Sequence, residues 1–296
     1  MAGAESGNGS GGERRKRAGG YGLGGIESVL SVDDVSRQAA ELAAEGPDRA
    51  TLEGLVKGAP QVKIDGLDAG YGKMHILHDV DLLVGAAQSL CLIGPNGAGK
   101  STVLHSIFGF TNIFGGQISV GEKDVTRLSP NDKLKSAGVA YILQDNSVFP
   151  DMTVEENLLM GGYLMDSVAD AKAAAERVFD KYPRLAERRR QRARVLSGGE
   201  RRLLEISRAL VMDPQVLLVD EPSIGLEPRF IDLVFEILDD LQSVERKTIV
   251  MVEQNAKKGL EFADIGYVLV NGQVAMAGPG KELLADERVG RLFLGG

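Results

Sequence analysis

The stretch GPNGAGKST, residues 94–102, sets Gly94, Gly99, Lys100 and Ser101 at the spacing G-x-x-x-x-G-K-[ST]. These residue types at this spacing suit the grip of a phosphate chain. Gly94, Gly97 and Gly99, separated by Pro95, Asn96 and Ala98, permit positive φ, so successive backbone N–H groups can turn inward around phosphate oxygens. Lys100 would reach the β- and γ-phosphates, and the Ser101 hydroxyl would ligate Mg²⁺. From Thr102 the chain enters an apolar helix, whose N-terminus adds its positive dipole end. A second constellation, VLLVDEP at residues 216–222, ends an apolar run in Asp220 and Glu221. Ligands bind at strand C-termini in open α/β sheets. Asp220 is therefore read as an outer or water-mediated Mg²⁺ partner, and Glu221 as the general base or water-polarising group. Taken singly, these are a Gly-rich turn that holds a lysine and a strand that ends in a polar turn. Together they point to phosphoryl transfer from ATP.

A third stretch, LSGGERRLLEISRAL at residues 196–210, raises a question. Ser197 and Glu200 form an S-x-x-E capping box, and Leu203, Ile206, Leu210 and Val211 recur at helical spacing. Gly198 and Gly199 stand in the first turn of that helix, where each glycine costs about 1 kcal/mol relative to alanine.

The elements that must position these residues begin near Gln61. Short β-rich runs (QVKIDGL, ILHDVDLLV, SLCLI, GGQISV, GVAYIL, VLLVD, KTIVMVE, IGYVLVN) alternate with helices expected after Lys100, Thr153, Ser167, Ser197, Pro228 and Asn255. Such alternation, with several continuous apolar strands, predicts an α/β fold with a mostly parallel sheet covered by helices. Residues from about 150 to 195 interrupt it with helix-type sequence, which predicts an inserted helical subdomain. Residues 1–60 form an extension: the Gly-, Ser- and charge-rich segment 1–25 is expected to be disordered, and 26–57 to form one or two short amphipathic helices broken at Gly46-Pro47. The basic run Arg14, Arg15, Lys16, Arg17 reads as a solvated tail.

Composition narrows the class. Of 296 residues, 43% are apolar and 26% charged, the proportions of an ordinary globular protein. The net charge of −8 argues against a nucleic-acid partner. The single cysteine, Cys91, cannot form an internal disulfide and reads as a small buried hydrophobe within SLCLI. No run approaches the roughly 20 apolar residues of a membrane span, and no secretory h-region stands at the N-terminus, so a cytoplasmic location is expected.

GPNGAGKST, then Gln144, then LSGGE, then VLLVDEP, in this order, resemble the nucleotide-binding subunit of an ABC transporter across residues 61–296. LSGGE is the most specific of these motifs. The resemblance implies a P-loop NTPase fold: a RecA-like, mostly parallel sheet core, an antiparallel β subdomain and the inserted helical subdomain. It implies ATP and Mg²⁺ as ligands, with Ser101, Gln144 and Asp220 on the metal side. It also implies that Ser197, Gly198, Gly199 and Glu200 complete the nucleotide site of an opposing subunit when two subunits clamp head to tail. The glycines would then let a helix N-terminus approach a γ-phosphate; the plainer alternative is a local capping box with incidental glycines. Tyr71 matches the aromatic that stacks on adenine, or is a strand-end core tyrosine. Gln144 matches the glutamine that senses Mg²⁺ and the attacking water. The segment DNSVFPDMTVEENLLMG matches the part that meets a permease's coupling helix, although Thr153 and Glu156 also make a capping box there.

Two positions depart from the general family pattern. Glu227 stands where an aspartate is usual, and Gln254 stands where most members have a histidine. Glutamine can donate a hydrogen bond to a phosphate oxygen but cannot become cationic, so Gln254 is retained as a candidate catalytic residue and hydrolysis should rest more heavily on Glu221. VEQNA, YPRLAERRRQRARVLSGGE and VFPDMTVEENLLMGG are similar to the ATP-binding subunits of branched-chain amino-acid uptake systems of the LivF type. Arg188, Arg189, Arg190, Arg192 and Arg194 then read as a solvated or phosphate-proximal helix edge. The expected partners are integral membrane permease subunits, a second ATP-binding subunit (unlike or self) and, indirectly, a substrate-binding protein, which puts the chain on the inner face of the cell membrane. Alternatives are the ATPase of lipopolysaccharide export or urea uptake, a non-transport ABC factor, and a non-catalytic scaffold.

Overall fold

The computed structural model describes residues 46–144 and 147–293. The expected disordered start, the basic run Arg14–Arg17, any helix before Gly46 and the dipeptide Asp145-Asn146 lie outside the described residues.

Two sheets share the work. The larger has six strands in the order β10 (Gln273–Pro279), β9 (Ile265–Val270), β3 (Ser89–Ile93), β8 (Thr248–Val252), β7 (Val216–Asp220) and β6 (Val139–Ile142). The five from β9 to β6 are parallel, and β10 closes one edge antiparallel. The smaller sheet is antiparallel, in the order β2 (Met74–Gly85), β1 (Pro60–Tyr71), β4 (Asn112–Val120) and β5 (Lys123–Asp124).

The continuous apolar runs follow from burial on both faces of the larger sheet. Along β3, Cys91 and Ile93 join one apolar cluster while Leu90 and Leu92 join the other; β7 and β8 alternate in the same way. Each fully buried Leu, Val or Ile stabilises the fold by roughly 1.5–3 kcal/mol, which makes β3, buried at every position, the natural centre. The first cluster lies under α4 (Val154–Gly161), α5 (Val168–Lys181), α6 (Pro183–Glu187), α7 (Gly198–Leu210), α8 (Pro228–Ser243) and α9 (Ala256–Phe262). The second is covered by the smaller sheet, by α2 (Lys100–Phe108) and by α1 (Arg49–Leu55). Helix α1 starts where Asp48 accepts a hydrogen bond from the Thr51 N–H, and its Leu52 is fully buried.

All eight predicted strand runs and all six predicted helix starts have counterparts. Unpredicted are α3 (Pro130–Ala137), α10 (Gly280–Ala285), α11 (Glu287–Phe293), β5 and β10. For β10 a signal was present: Asn271-Gly272, both at positive φ, forms the tight turn of the β9–β10 hairpin. For α3 the signal was Ser129 followed by Pro130 and Asp132; the Ser129 side chain accepts from the Asp132 N–H.

Between Pro150 and Arg194 the chain forms α4, α5 and α6 joined by turns, and its two ends run side by side. Val154 N–H donates to Gln191 O and Ala193 N–H to Met152 O, each at 2.9 Å, and Thr153 and Arg192 form a β-bridge.

Candidate functional site

The phosphate loop leaves β3 at Gly94, whose φ is 144°. A Cβ there would lie 2.1 Å from the Leu269 carbonyl oxygen, so only glycine fits this turn over β9. Pro95, Asn96 and Gly97 are exposed on the loop's outer side, while Ala98, Gly99 and Lys100 are buried. The Lys100 Nζ donates to the carbonyls of Gly94 (2.9 Å) and Pro95 (3.0 Å), which places the ammonium inside the loop's curve. Burial holds its pKa below the ordinary lysine value, with the carboxylates of Glu221 and Asp220 pulling the other way. Thr102, nearly buried, gives its carbonyl to the Ser106 hydroxyl at 2.7 Å. The loop is braced from below, as the Gly272 N–H donates to Ala98 O at 2.9 Å.

Parallel pairing of β7 between β6 and β8 delivers the acids to this loop. Asp220, 5% exposed, accepts from the Ser101 hydroxyl through Oδ1 at 3.1 Å and from the Tyr141 hydroxyl through Oδ2 at 2.8 Å. Glu221 follows at φ 42°, a left-handed conformation that non-glycine residues rarely adopt. Its N–H donates to Val252 O at 2.9 Å, and its Oε2 accepts from the Gln144 side chain at 2.9 Å. Backbone strain of this kind costs about 1–3 kcal/mol and gathers at functional positions.

The structure therefore brings Lys100, Ser101, Gln144, Asp220 and Glu221 into one cluster. A hydroxyl, an amide and a carboxylate form a hard-oxygen set that fits Mg²⁺; Ser101, Gln144 and Asp220 are the residues that would hold it. Gln144 lies two residues beyond the end of β6 and Gln254 two beyond the end of β8. Gln254 is exposed, and its carbonyl accepts from the Ala256 N–H at 3.0 Å. Tyr71 ends β1, 42% exposed, with its hydroxyl bonded to His105 Nδ1 and the two rings edge to face.

The Ser197 turn stands apart from this cluster. Ser197 and Glu200 form the capping box: the Ser197 N–H donates to Glu200 Oε2 at 2.9 Å, and the Glu200 N–H to Ser197 Oγ at 3.3 Å. Arg188 pairs with Glu200 at 2.5 Å. The two glycines are not equivalent. A Cβ on Gly199 would fall 2.2 Å from a ring carbon of Phe230, whereas one on Gly198 would meet only Leu226, at 3.8 Å. Gly199 is thus explained within the chain by the packing of α7 on α8, and Ser197 and Gly198 alone face outward. Gly199 thus has a packing role within the chain beside the one the resemblance implies for it.

The arginine run is also corrected. It is not a helix edge: α6 ends at Glu187, and the run occupies a turn and a 3₁₀ segment at Ala193–Val195. Arg189 pairs with Glu155 and Glu176, Arg188 with Glu200, and Arg192 and Arg194 approach Asp151 at 3.9 and 3.5 Å. Glu227 caps α8 without a side-chain bond and pairs with Arg229 at 3.0 Å.

Three contributors escaped the sequence reading. Tyr141 anchors Asp220, and His105 holds Tyr71. Glu253, fully buried, accepts from the Ser223 hydroxyl at 2.8 Å, the Ser223 N–H at 3.3 Å and the Asn255 N–H at 2.9 Å, so it ties the loop after Glu221 to the loop holding Gln254. An acid inside the apolar run KTIVMVE was the available signal for Glu253.

A family model described as ABC transporter matches residues 77–224. The probable branched-chain amino acid transport ATP-binding protein LivF of Archaeoglobus fulgidus is 39% identical over 229 residues, 77% of this chain and 96% of that protein. The high-affinity branched-chain amino acid transport ATP-binding protein BraG of Pseudomonas aeruginosa is 40% identical over 235 residues, covering 79% of this chain and all of the other (100%). Among solved structures, the ADP conformation of an ATP-binding cassette of an ABC transporter superposes with a TM-score of 0.71 at 27% identity, covering 80% of this chain and 100% of that one.

Proposed function

Because the chain belongs to the ABC transporter family, as an ATP-hydrolysing, ATP-binding subunit, we propose that it powers uptake of branched-chain or related amino acids through a partner permease. The observation that carries the catalytic part is the pair of side-chain bonds Ser101–Asp220 (3.1 Å) and Gln144–Glu221 (2.9 Å), which gather three distant segments at one strand end. The substrate class rests on the likeness to LivF and BraG, whose names specify branched-chain amino acid transport.

In this reading the backbone N–H groups of residues 94–102 and the Lys100 ammonium bind the β- and γ-phosphates, and the exposed face of Tyr71 takes the adenine. Ser101, Gln144 and Asp220 would hold Mg²⁺, which when bound would neutralise charge on the phosphate oxygens. Glu221 accepts a proton from water as the water oxygen bonds to Pγ. The bond from Pγ to the bridging oxygen breaks, and ADP and phosphate leave. Gln144, bonded to the Glu221 carboxylate, fixes that carboxylate's direction. Gln254 offers an uncharged donor to the γ-phosphate.

A second ATP-binding subunit, unlike or identical, would seal the nucleotide with its Ser197 turn in a head-to-tail dimer. Residues 61–296 would form the cassette and about 150–195 its helical subdomain. A permease would dock on the groove of about 310 Å³ lined in part by Phe149, Met160, Tyr163 and Arg208, where Tyr163 is 77% exposed. This puts the chain on the cytoplasmic face of the membrane, fed indirectly by a substrate-binding protein. Among the described residues no helix is long and apolar enough to cross a membrane.

Glu221→Gln tests the assignment. Loss of a general base lowers turnover by about 10²–10⁴-fold, so phosphate release should fall by at least the lower figure while ATP binding persists. Release at the parental rate would remove Glu221 from the mechanism.

A further inference from the structure

Outside the phosphate site, Asp68, His75 and His78 each offer one metal-ligating atom, and the three atoms lie within 4.8 Å of one another. Asp68 belongs to β1, and both histidines to β2. Residues three apart in a regular strand point to opposite faces. Here the β1–β2 ladder shifts register between Leu67 and Ala69 and again between Ala69 and Gly70, and Asp79 takes a φ of 50°. This irregularity turns His75 and His78 to the same side, with their rings parallel within 4° and their centroids 6.4 Å apart. His75 is held from the other side by Phe114 of β4, stacked at 3.9 Å. The His78 Nδ1 faces Asp68 Oδ1 at 4.0 Å, and the His78 backbone is pinned by its N–H bond to Gly272 O at 2.9 Å.

We propose that Asp68, His75 and His78 form a transition-metal site, with Zn²⁺ as the best-fitting ion and water in the fourth position. Two imidazoles and one carboxylate suit zinc, whereas Mg²⁺ demands oxygen ligands; the site is therefore chemically distinct from the one at Ser101 and Asp220. Bonds of about 2.0–2.2 Å in a tetrahedron need ligand atoms about 3.4 Å apart. Half-exposed side chains close the remaining gap by rotating about χ1 and χ2 with the backbone in place. Because its ligands come from both strands, the ion clips β1 to β2 just ahead of the hairpin tip, where Tyr71 pairs with Met74 and Gly70 with His75. Zinc occupancy thus braces the segment that carries Tyr71. The site stands whatever the transported molecule is.

Calorimetric titration of the full chain with zinc chloride in Mg²⁺-free buffer, paired with thermal unfolding at increasing zinc, tests this. One zinc per chain is expected, with a rise in the unfolding midpoint. His75→Ala and His78→Ala should each weaken binding by more than the roughly 10–100-fold that loss of an outer-sphere partner costs, and both should erase the midpoint rise. His78→Gln, which keeps size and polarity at an exposed position, guards against a folding artefact, since it should unfold normally in chelator yet bind zinc as poorly as His78→Ala. Absence of zinc uptake by the parent chain, or undiminished uptake by the His75→Ala/His78→Ala double variant, overturns the assignment.

Discussion

The two adjacent glycines of the LSGG turn answer to different neighbours, and substitution separates them. Gly199→Ala drives a methyl into Phe230, an overpacking that costs about 1–3 kcal/mol; chemical denaturation should show that loss. Gly198→Ala makes only an ordinary contact with Leu226 at 3.8 Å, so stability should hold or rise by up to about 1 kcal/mol from helix propensity, while ATP-dependent association of subunits weakens. Equal destabilisation by both would contradict the distinction. The sequence displays the glycine pair and its capping box, because both are local. Phe230 is invisible there, since its contact with Gly199 arises only when α7 and α8 pack. Tyr141 is similar: strand alternation shows that it faces one side of β6, but only the neighbouring position of β7 reveals Asp220 as its acceptor.

Among the elements, a start signal followed by an apolar period was legible, whereas α3 was not, although Ser129 caps it. Thr153 and Ser197 each announce a helix with a capping box that forms as written. Helix α3 carries few apolar residues, and its mainstay is a lysine. The Lys133 side chain is fully buried and donates from Nζ to Ser106 O at 3.2 Å. Burial lowers its pKa to about 8, with Asp124 opposing. Between pH 8 and the unfolded lysine value of about 10.4 the unfolded chain binds more protons, so stability rises with pH across that window and is flat below it. The full gain is on the order of 3 kcal/mol. Unfolding midpoints measured from pH 7 to 10 should climb for the parent chain and lose this component in Lys133→Met.

For the whole molecule, the two-sided sheet core was readable from continuous apolar strands, while the order of strands was not, because period-two burial carries no information on neighbours. That order determines which loops meet: β7 between β6 and β8 gathers Gln144, Glu221 and Gln254 along one edge. Assembly is the prediction at this scale. With hydrolysis blocked by Glu221→Gln, ATP should double the mass seen by light scattering, either alone or with an unlike ATP-binding subunit. Adding Lys100→Ala should abolish the doubling. A mass indifferent to ATP in both settings would argue against a nucleotide-sealed pair.

The paired ends of the helical segment limit how it can move. Met152 and Ala193 are hydrogen-bonded to each other, as are Val154 and Gln191, so the segment leaves and rejoins the chain at one place, while its α4 lies so close on α7 that a Cβ on Gly161 would fall 2.3 Å from the Arg208 carbonyl oxygen. A push on the groove at Tyr163 therefore bears on α7 itself, the helix whose first turn Ser197 caps.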